Sequence, residues 1–110
     1  MRVAGSSVVQ SMISGKRWES TEMLKLTVST RFKKDIKKFK HDKTTQDKLE
    51  EIIVLLLSEQ KLPPKNRDHT LVGNYIHHRE CHISPDTLLI YRVDDAYISL
   101  ERIGSHSDLF

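Results

Sequence analysis

Thr87-Leu88-Leu89-Ile90-Tyr91-Arg92-Val93 is the stretch that most narrows what this chain can become. Its β-branched, aromatic and large apolar side chains suit a pleated, half-buried surface. Asp94-Asp95 supplies a turn, and Tyr97 to Ile103 resumes an apolar–polar alternation, which predicts an antiparallel return strand. Upstream, Ser84-Pro85-Asp86 predicts another turn, because proline presets φ and the flanking oxygens bond local backbone. Tyr75 to Ile83 before it reads as a strand, unusually polar because His77, His78, Arg79, Glu80 and His82 interrupt it. A meander of this kind needs a second layer to bury one of its faces.

The first part of the chain provides that layer. Leu24-Lys25-Leu26-Thr27-Val28 alternates like a half-buried strand. Ser29 or Thr30 offers an oxygen to the first free amides of a helix. Phe32, Ile36 and Phe39 recur at i, i+4 and i+7, giving that helix one apolar face. A second helix is expected from Thr44, where Thr44 and Asp47 have capping-box spacing, and Leu49, Ile52, Ile53, Leu56 and Leu57 line its buried side. Pro63-Pro64 is expected to stop it, and Lys61 to Asn74 reads as a loop closed by Gly73. The order β-α-α-β-β-β makes an α+β fold, a helical hairpin on a small, mostly antiparallel sheet. Met1 to Glu22 mixes Gly, Ser and single apolar residues without a period and reads as a flexible leader or start-site extension, with one domain over residues 23–110. Val8 to Ile13 is too short and too polar for the core of a signal peptide.

At 110 residues, 30% of them charged and 37% hydrophobic, the chain supports a single modest core. No apolar run approaches the roughly 20 residues that span a bilayer, so no membrane association is expected. Cys81 is the one cysteine and has no internal disulfide partner, which points to the reducing cytoplasm. Seven Lys/Arg against two Asp lie between Arg31 and Lys43, and this stripe is an electrostatic footprint for polyanions. A solvated helix face accounts for it equally well until a phosphate-handling site is found.

Such a site is suggested where polar residues gather at the ends of the apolar β runs. His69, His82 and His106 fall there with Asp86 and Arg102. Three histidines, an aspartate and arginines gathered by one small sheet suit acid–base work on a phosphodiester. Its cleavage needs alignment, proton removal, charge stabilisation and protonation of the leaving oxygen. Histidine, titrating near pH 6.5, suits both proton transfers, and arginine's fork holds phosphate oxygens. Arg102 shares period-2 parity with Ile98 and Leu100, so a bulge or the strand end must redirect it if it meets phosphate. His78, Glu80 and His82 share one strand face, a weak metal arrangement, and the glutamate is misplaced for H-E-x-x-H. No metal and no cofactor are expected. Cys81, on the opposite parity, reads as a small buried filler.

Four segments in this order resemble the RelE/ParE toxin superfamily, and most closely its YafQ-like branch: Lys65 to Gly73, Arg79 to Asp86, Leu88-Leu89-Ile90-Tyr91 and Arg102 to Phe110. The Ser/Thr-x-Phe-x-Lys-Asp opening of the first helix joins them, so the resemblance covers Met23 to Phe110. It implies a toxin that cleaves messenger RNA in the ribosomal A site. A small acidic antitoxin from the same operon would neutralise it, and the complex would bind operator DNA through the antitoxin. The family's functional histidines fall on His69, His82 and His106, its acidic residue on Asp86, its phosphate-binding arginine on Arg102 and its terminal aromatic on Phe110. Members of this branch often carry tryptophan directly after the aspartate, where this chain has Thr87.

His106 and His69 are expected as the proton-transfer pair, with His82 and Asp86 shaping the site; which is acid and which base stays open. Lys33, Lys34, Lys37 and Lys38, with Arg79 and Phe110, are expected to contact RNA. A ParE-like inhibitor of DNA gyrase, and an RNA-binding module with a degenerate site, are the alternatives.

Overall fold

The alternation at Tyr97–Gly104 (β5) serves two neighbours. In the computed structural model, which describes residues 8–15 and 25–110, β5 lies antiparallel to Thr87–Val93 (β4) and parallel to Lys25–Val28 (β1). Arg79–Ser84 (β3) pairs antiparallel with β4, and the two-residue strand His69–Thr70 (β2) forms the far edge, giving the order β1-β5-β4-β3-β2. Helices Val8–Ser14 (α1), Thr30–Lys37 (α2) and Lys43–Leu57 (α3) pack on one face, and His106–Leu109 (α4) ends the chain. The expected α+β architecture, helices on a mostly antiparallel sheet, is the one observed.

The main core lies between those helices and the sheet. Phe32 and Ile36 from α2, Leu49 and Ile53 from α3, and Leu89, Tyr91, Ile98, Leu100 and Ile103 from the central strands are all buried there. Each such side chain contributes about 1.5–3 kcal/mol by leaving water. Cys81 is fully buried among them, as its parity required. The opposite face carries a smaller cluster of Leu88, Ile90 and Leu109, flanked by Leu71 and Tyr75.

Caps explain the helix boundaries. Ser29 Oγ accepts the Phe32 amide at 2.9 Å, as expected of an N-cap. α3 begins earlier than expected: Asp42 rather than Thr44 is its N-cap, accepting the Thr45 amide at 3.1 Å. Its end is also corrected. Glu59 adopts a left-handed conformation (φ 57°), its amide reaches Leu56 O at 3.1 Å and that of Gln60 reaches Leu55 O at 2.9 Å. That is a Schellman stop, and the helix has ended before Pro63 and Pro64 are reached.

Other corrections concern segments read as irregular. Lys61–Asn74 contains β2 and the helical turn Pro64–Asn66, and the turn Gly73–Tyr75 starts at its end. β3 starts at Arg79, four residues later than expected from Tyr75, because His77 takes a positive φ of 71° that no strand tolerates. Part of the expected leader is packed: in α1, Val9 and Met12 are buried against α2 and α3, and the Val9 amide donates to Glu50 Oε1 at 3.1 Å. Residues 1–7 and 16–22 of that leader lie outside the described residues, as does Leu24 of the expected first strand. The tail after Gly104 is a capped helical turn rather than a loose end.

Candidate active site

Strand register assembles the site. His69 stands opposite Glu80, Glu80 opposite Ile90, and Ile90 opposite Arg102, so the four residues form one row across β2, β3, β4 and β5. Cross-strand partners share a face, and with strands about 4.8 Å apart the row spans about 14 Å. The next row on that face runs His82, Leu88, Gly104, and His106 follows two residues on. Leu88, Ile90 and Leu109 form the apolar floor between these polar groups.

Glu80 is the group that sequence reasoning missed. Its carboxylate is only 7% exposed, and Oε1 lies 3.4 Å from His69 Nε2 and 3.9 Å from His82 Nε2. A buried carboxylate is retained at little cost only where cations or donors surround it. Its strand parity with His82 was the available signal. His69 Nδ1 lies 2.7 Å from Arg67 O. A carbonyl only accepts, so Nδ1 carries the hydrogen and Nε2 is the proton-accepting nitrogen of the neutral ring. A proton taken up at Nε2 then lies beside the Glu80 carboxylate. Arg67 itself has φ 49°, and Asn66 Nδ2 donates to His82 O at 2.7 Å; together they bring the loop carrying His69 against β3.

Asp86 is exposed in the turn between β3 and β4. The carboxylate that meets the histidines is that of Glu80, not that of Asp86.

Arg102 owes its direction to a β-bulge. The β4–β5 register shifts between Ile90 and Tyr91, so Ile90 faces Arg102 while Tyr91 faces Leu100, and Glu101 is the extra residue. Arg102 thereby leaves the parity of Ile98 and Leu100, as phosphate contact would require. Beyond Leu100, where β1 has ended, α2 covers the open edge of β5. There Asp35 accepts from Arg102 Nε at 2.7 Å, from Nη2 at 3.2 Å and from the Ile103 amide at 3.2 Å. The Asp35 hydrogen bond, ahead of opposing desolvation, raises the arginine pKa above its ordinary value.

His106 opens α4. Ser105 caps the helix and Asp108 caps back, while Leu109 is buried. The His106 ring lies 5.0 Å from that of Phe110, which meets Tyr75 edge-on at 5.7 Å. His106 and Phe110 are exposed, so this aromatic group borders the floor as an accessible stacking surface.

Arg79 goes elsewhere. It faces Tyr91 on the helix side of the sheet and grips Asp68 through Nε (3.2 Å) and Nη2 (2.9 Å), while the Tyr91 hydroxyl donates to Asp68 at 2.5 Å. The structure therefore does not join Arg79 to the histidine face. Lys33, Lys34, Lys37 and Lys38 are exposed along α2. Among the described residues, no three His, Cys, Asp or Glu side chains converge in the manner of a metal cage.

Known proteins share this arrangement of elements. The model of a bacterial toxin of type II toxin–antitoxin systems, YafQ, matches residues 24–110. The mRNA interferase toxin YafQ of Escherichia coli is 34% identical over 83 residues, covering 74% of this chain and 90% of that protein. A crystal structure of E. coli YafQ superposes with a TM-score of 0.73 at 31% identity, covering 79% of this chain and 98% of that one. A copper-bound mutant toxin from Helicobacter pylori reaches 0.75 at 42% identity, with coverage of 80% and 100%. YafQ in the E. coli DinJ–YafQ toxin–antitoxin complex reaches 0.72 at 31% identity, with coverage of 80% and 98%. With the match running from β1 through α4, the chain belongs to the YafQ family of type II toxin–antitoxin toxins.

Proposed function

We propose that this toxin is an endoribonuclease that cuts messenger RNA on the ribosome, without a metal, by attack of the 2′-hydroxyl on the adjacent phosphate. The observation that carries the reading is the row His69–Glu80–Ile90–Arg102, with His82 beside it and His106 at its end. A nucleotide lying over this face, whose buried apolar support is Leu88, Ile90 and Leu109, meets histidines on one side and a guanidinium on the other. His69, whose Nε2 accepts, takes the 2′-hydroxyl proton; Glu80 holds the charge that results. Arg102 neutralises the developing phosphorane, and His106 returns a proton to the leaving 5′-oxygen while Phe110 stacks a base. His82 shares Glu80 with His69, and Asp86, exposed in the neighbouring turn, is the family's acidic residue. Because the nucleophile belongs to the substrate, no metal-bound water is needed.

The exposed lysines of α2 give this toxin its attraction to ribosomal RNA, and a cognate acidic antitoxin made alongside it neutralises it in the cytoplasm. That complex would meet operator DNA through the antitoxin. Purified protein incubated with messenger-programmed ribosomes and EDTA, followed by mapping of the new ends, tests the reading. The expected products carry a 5′-hydroxyl and a 2′,3′-cyclic or 3′-phosphate. Loss of cleavage in chelator while ribosomes stay intact, with recovery on adding zinc, overturns the metal-free mechanism. Intact messenger alongside inhibited gyrase supercoiling overturns the ribonuclease reading itself.

A further inference from the structure

Asp35 is the only acidic residue of α2, and it is buried beneath a helix whose lysines face solvent. Its side chain is 7% exposed, that of Arg102 18%. The two are 67 positions apart in sequence, yet they form a forked pair. Nothing in the acid–base chemistry above uses Asp35. Stabilising the fold alone is a poor reason to keep a buried ion pair, since well-packed apolar residues serve as well.

The geometry of the pair suggests another purpose. A guanidinium has five N–H donors in a rigid plane. Asp35 engages the Nε–H and one Nη2–H, and its Oδ2 is itself anchored by the Ile103 amide at 3.2 Å. With one edge held by a carboxylate anchored on the Ile103 amide, and the Tyr75 side chain also hydrogen-bonded to the arginine, the plane of the guanidinium is fixed and its Nη1/Nη2 edge is the one that can turn to a ligand. The bulge at Glu101 and the cap of α2 support the same point, for Ser29 Oγ donates to Glu101 O at 2.7 Å beside it. Ser105 hydrogen bonds hold Asp108 of α4 below its ordinary pKa, and the Arg102 charge adds to them, so the fixed cation is felt by the helix that carries His106.

We propose that Asp35 is a positioning residue for RNA cleavage: by gripping the Nε/Nη2 edge of Arg102 it aligns the remaining edge for two oxygens of the scissile phosphate. This rests on the ribonuclease reading above. Asp35 touches no substrate; it acts through Arg102, trading freedom of the arginine for alignment in the transition state.

The test compares Asp35→Asn, Asp35→Glu, Arg102→Ala and the double variant Asp35→Asn/Arg102→Ala on messenger-programmed ribosomes, at saturating toxin in single-turnover mode. Asparagine keeps the size and an acceptor for the Ile103 amide; glutamate keeps the charge but shifts it by one methylene. Each is expected to slow cleavage about 10- to 100-fold, the scale on which misplacement by up to about 1 Å acts, with the half-saturating toxin concentration on ribosomes, which the α2 lysines set, unchanged. In the Arg102→Ala background, Asp35→Asn should change the rate less than about 2-fold, as coupled residues do. A folded Asp35→Glu protein cleaving at the wild-type rate, or equal losses from Asp35→Asn in both backgrounds, overturns the proposal. A second measurement needs no cleavage: a short 2′-deoxy oligonucleotide is titrated against the protein while the Arg102 Nε–H resonance is followed by NMR. Weakening of the response about tenfold in Asp35→Asn supports positioning, and an unchanged titration overturns it. If the wild-type protein leaves messenger intact, the ribonuclease reading falls, and this titration still decides whether Asp35 aligns Arg102 for phosphate.

Discussion

Ser105 and Asp108 cap each other: Ser105 Oγ accepts the Asp108 amide at 3.2 Å, and Asp108 Oδ2 accepts the Ser105 amide at 3.3 Å. This reciprocal pair, with Leu109 buried below it, holds the last turn of the chain in place. Ser105→Ala should weaken the cap by about 1 kcal/mol. The loss is local, so amide exchange at Phe110 should quicken about fivefold while the global melting temperature barely moves.

The same pair sets an acid limit. Hydrogen bonds to Ser105 hold the Asp108 carboxyl below its ordinary 3.8. A depressed carboxylate contributes stability above its unfolded pKa and loses it as pH falls through the folded one. The His106 and Phe110 ring resonances should therefore stay constant from pH 7 to about 4 once histidine titration is subtracted, and shift together only below 3.8. A midpoint at or above 3.8 would contradict the cap.

Burial pushes the Cys81 thiol up to about 12, with the Asp68 and Glu80 charges acting in the same direction. The thiolate, not the thiol, is the nucleophile. At pH 8 the native protein should resist iodoacetamide for hours, and one equivalent should react promptly in guanidinium chloride. Labelling of the folded protein, read by intact mass, would show that β3 opens far more often than a buried central strand should.

Lys33, Lys34, Lys37 and Lys38 face solvent while Asp35 between them faces inward. Neutralising the four lysines together should weaken ribosome binding and flatten its salt dependence, by a slope of about 1 for each phosphate no longer neutralised. Saturating single-turnover cleavage should change far less. An unchanged salt slope would reduce the stripe to a solvated helix face.

Met12 is 4% exposed and joins the main core from α1. Met12→Ala should cost on the order of 2–3 kcal/mol, seen as a lower urea midpoint with an unchanged m-value. A shift near zero would mean that α1 spends much of its time undocked.

What the sequence made legible follows the range of the forces involved. β4 and β5 were readable because alternating β-branched and aromatic residues encode a strand within seven or eight positions. The apolar face of α2 was readable for the same reason, from Phe32 and Ile36. α1 was not: seven residues flanked by Gly and Ser carry little helical propensity, and tertiary contacts, burial of Val9 and Met12 with the Val9 amide bond to Glu50, hold the helix. β2 has two polar residues and owes its strand character wholly to pairing with β3. At the candidate site, the resemblance pointed to three histidines and Arg102, but not to the carboxylates the structure sets beside them. Asp86 was singled out as the family's acidic residue, four positions after His82, whereas Glu80 reaches both His69 and His82 only once β2 and β3 are in register. Asp35 was counted only as one of two acids in the basic stripe and as the end of the helix-opening motif, because its partner lies 67 residues away.

The parallel pairing of β1 with β5 has a consequence for the toxin's own synthesis. Lys25 to Val28 pair with Tyr97 to Leu100, which are made long after them. While the chain is still being translated, β1 has no partner, Asp35 has no arginine and His106 does not yet exist outside the ribosome. Closing contacts between distant segments come late in folding. A half-made molecule therefore lacks the assembled candidate site, which forms only once the chain through His106 has emerged and β1 has found β5.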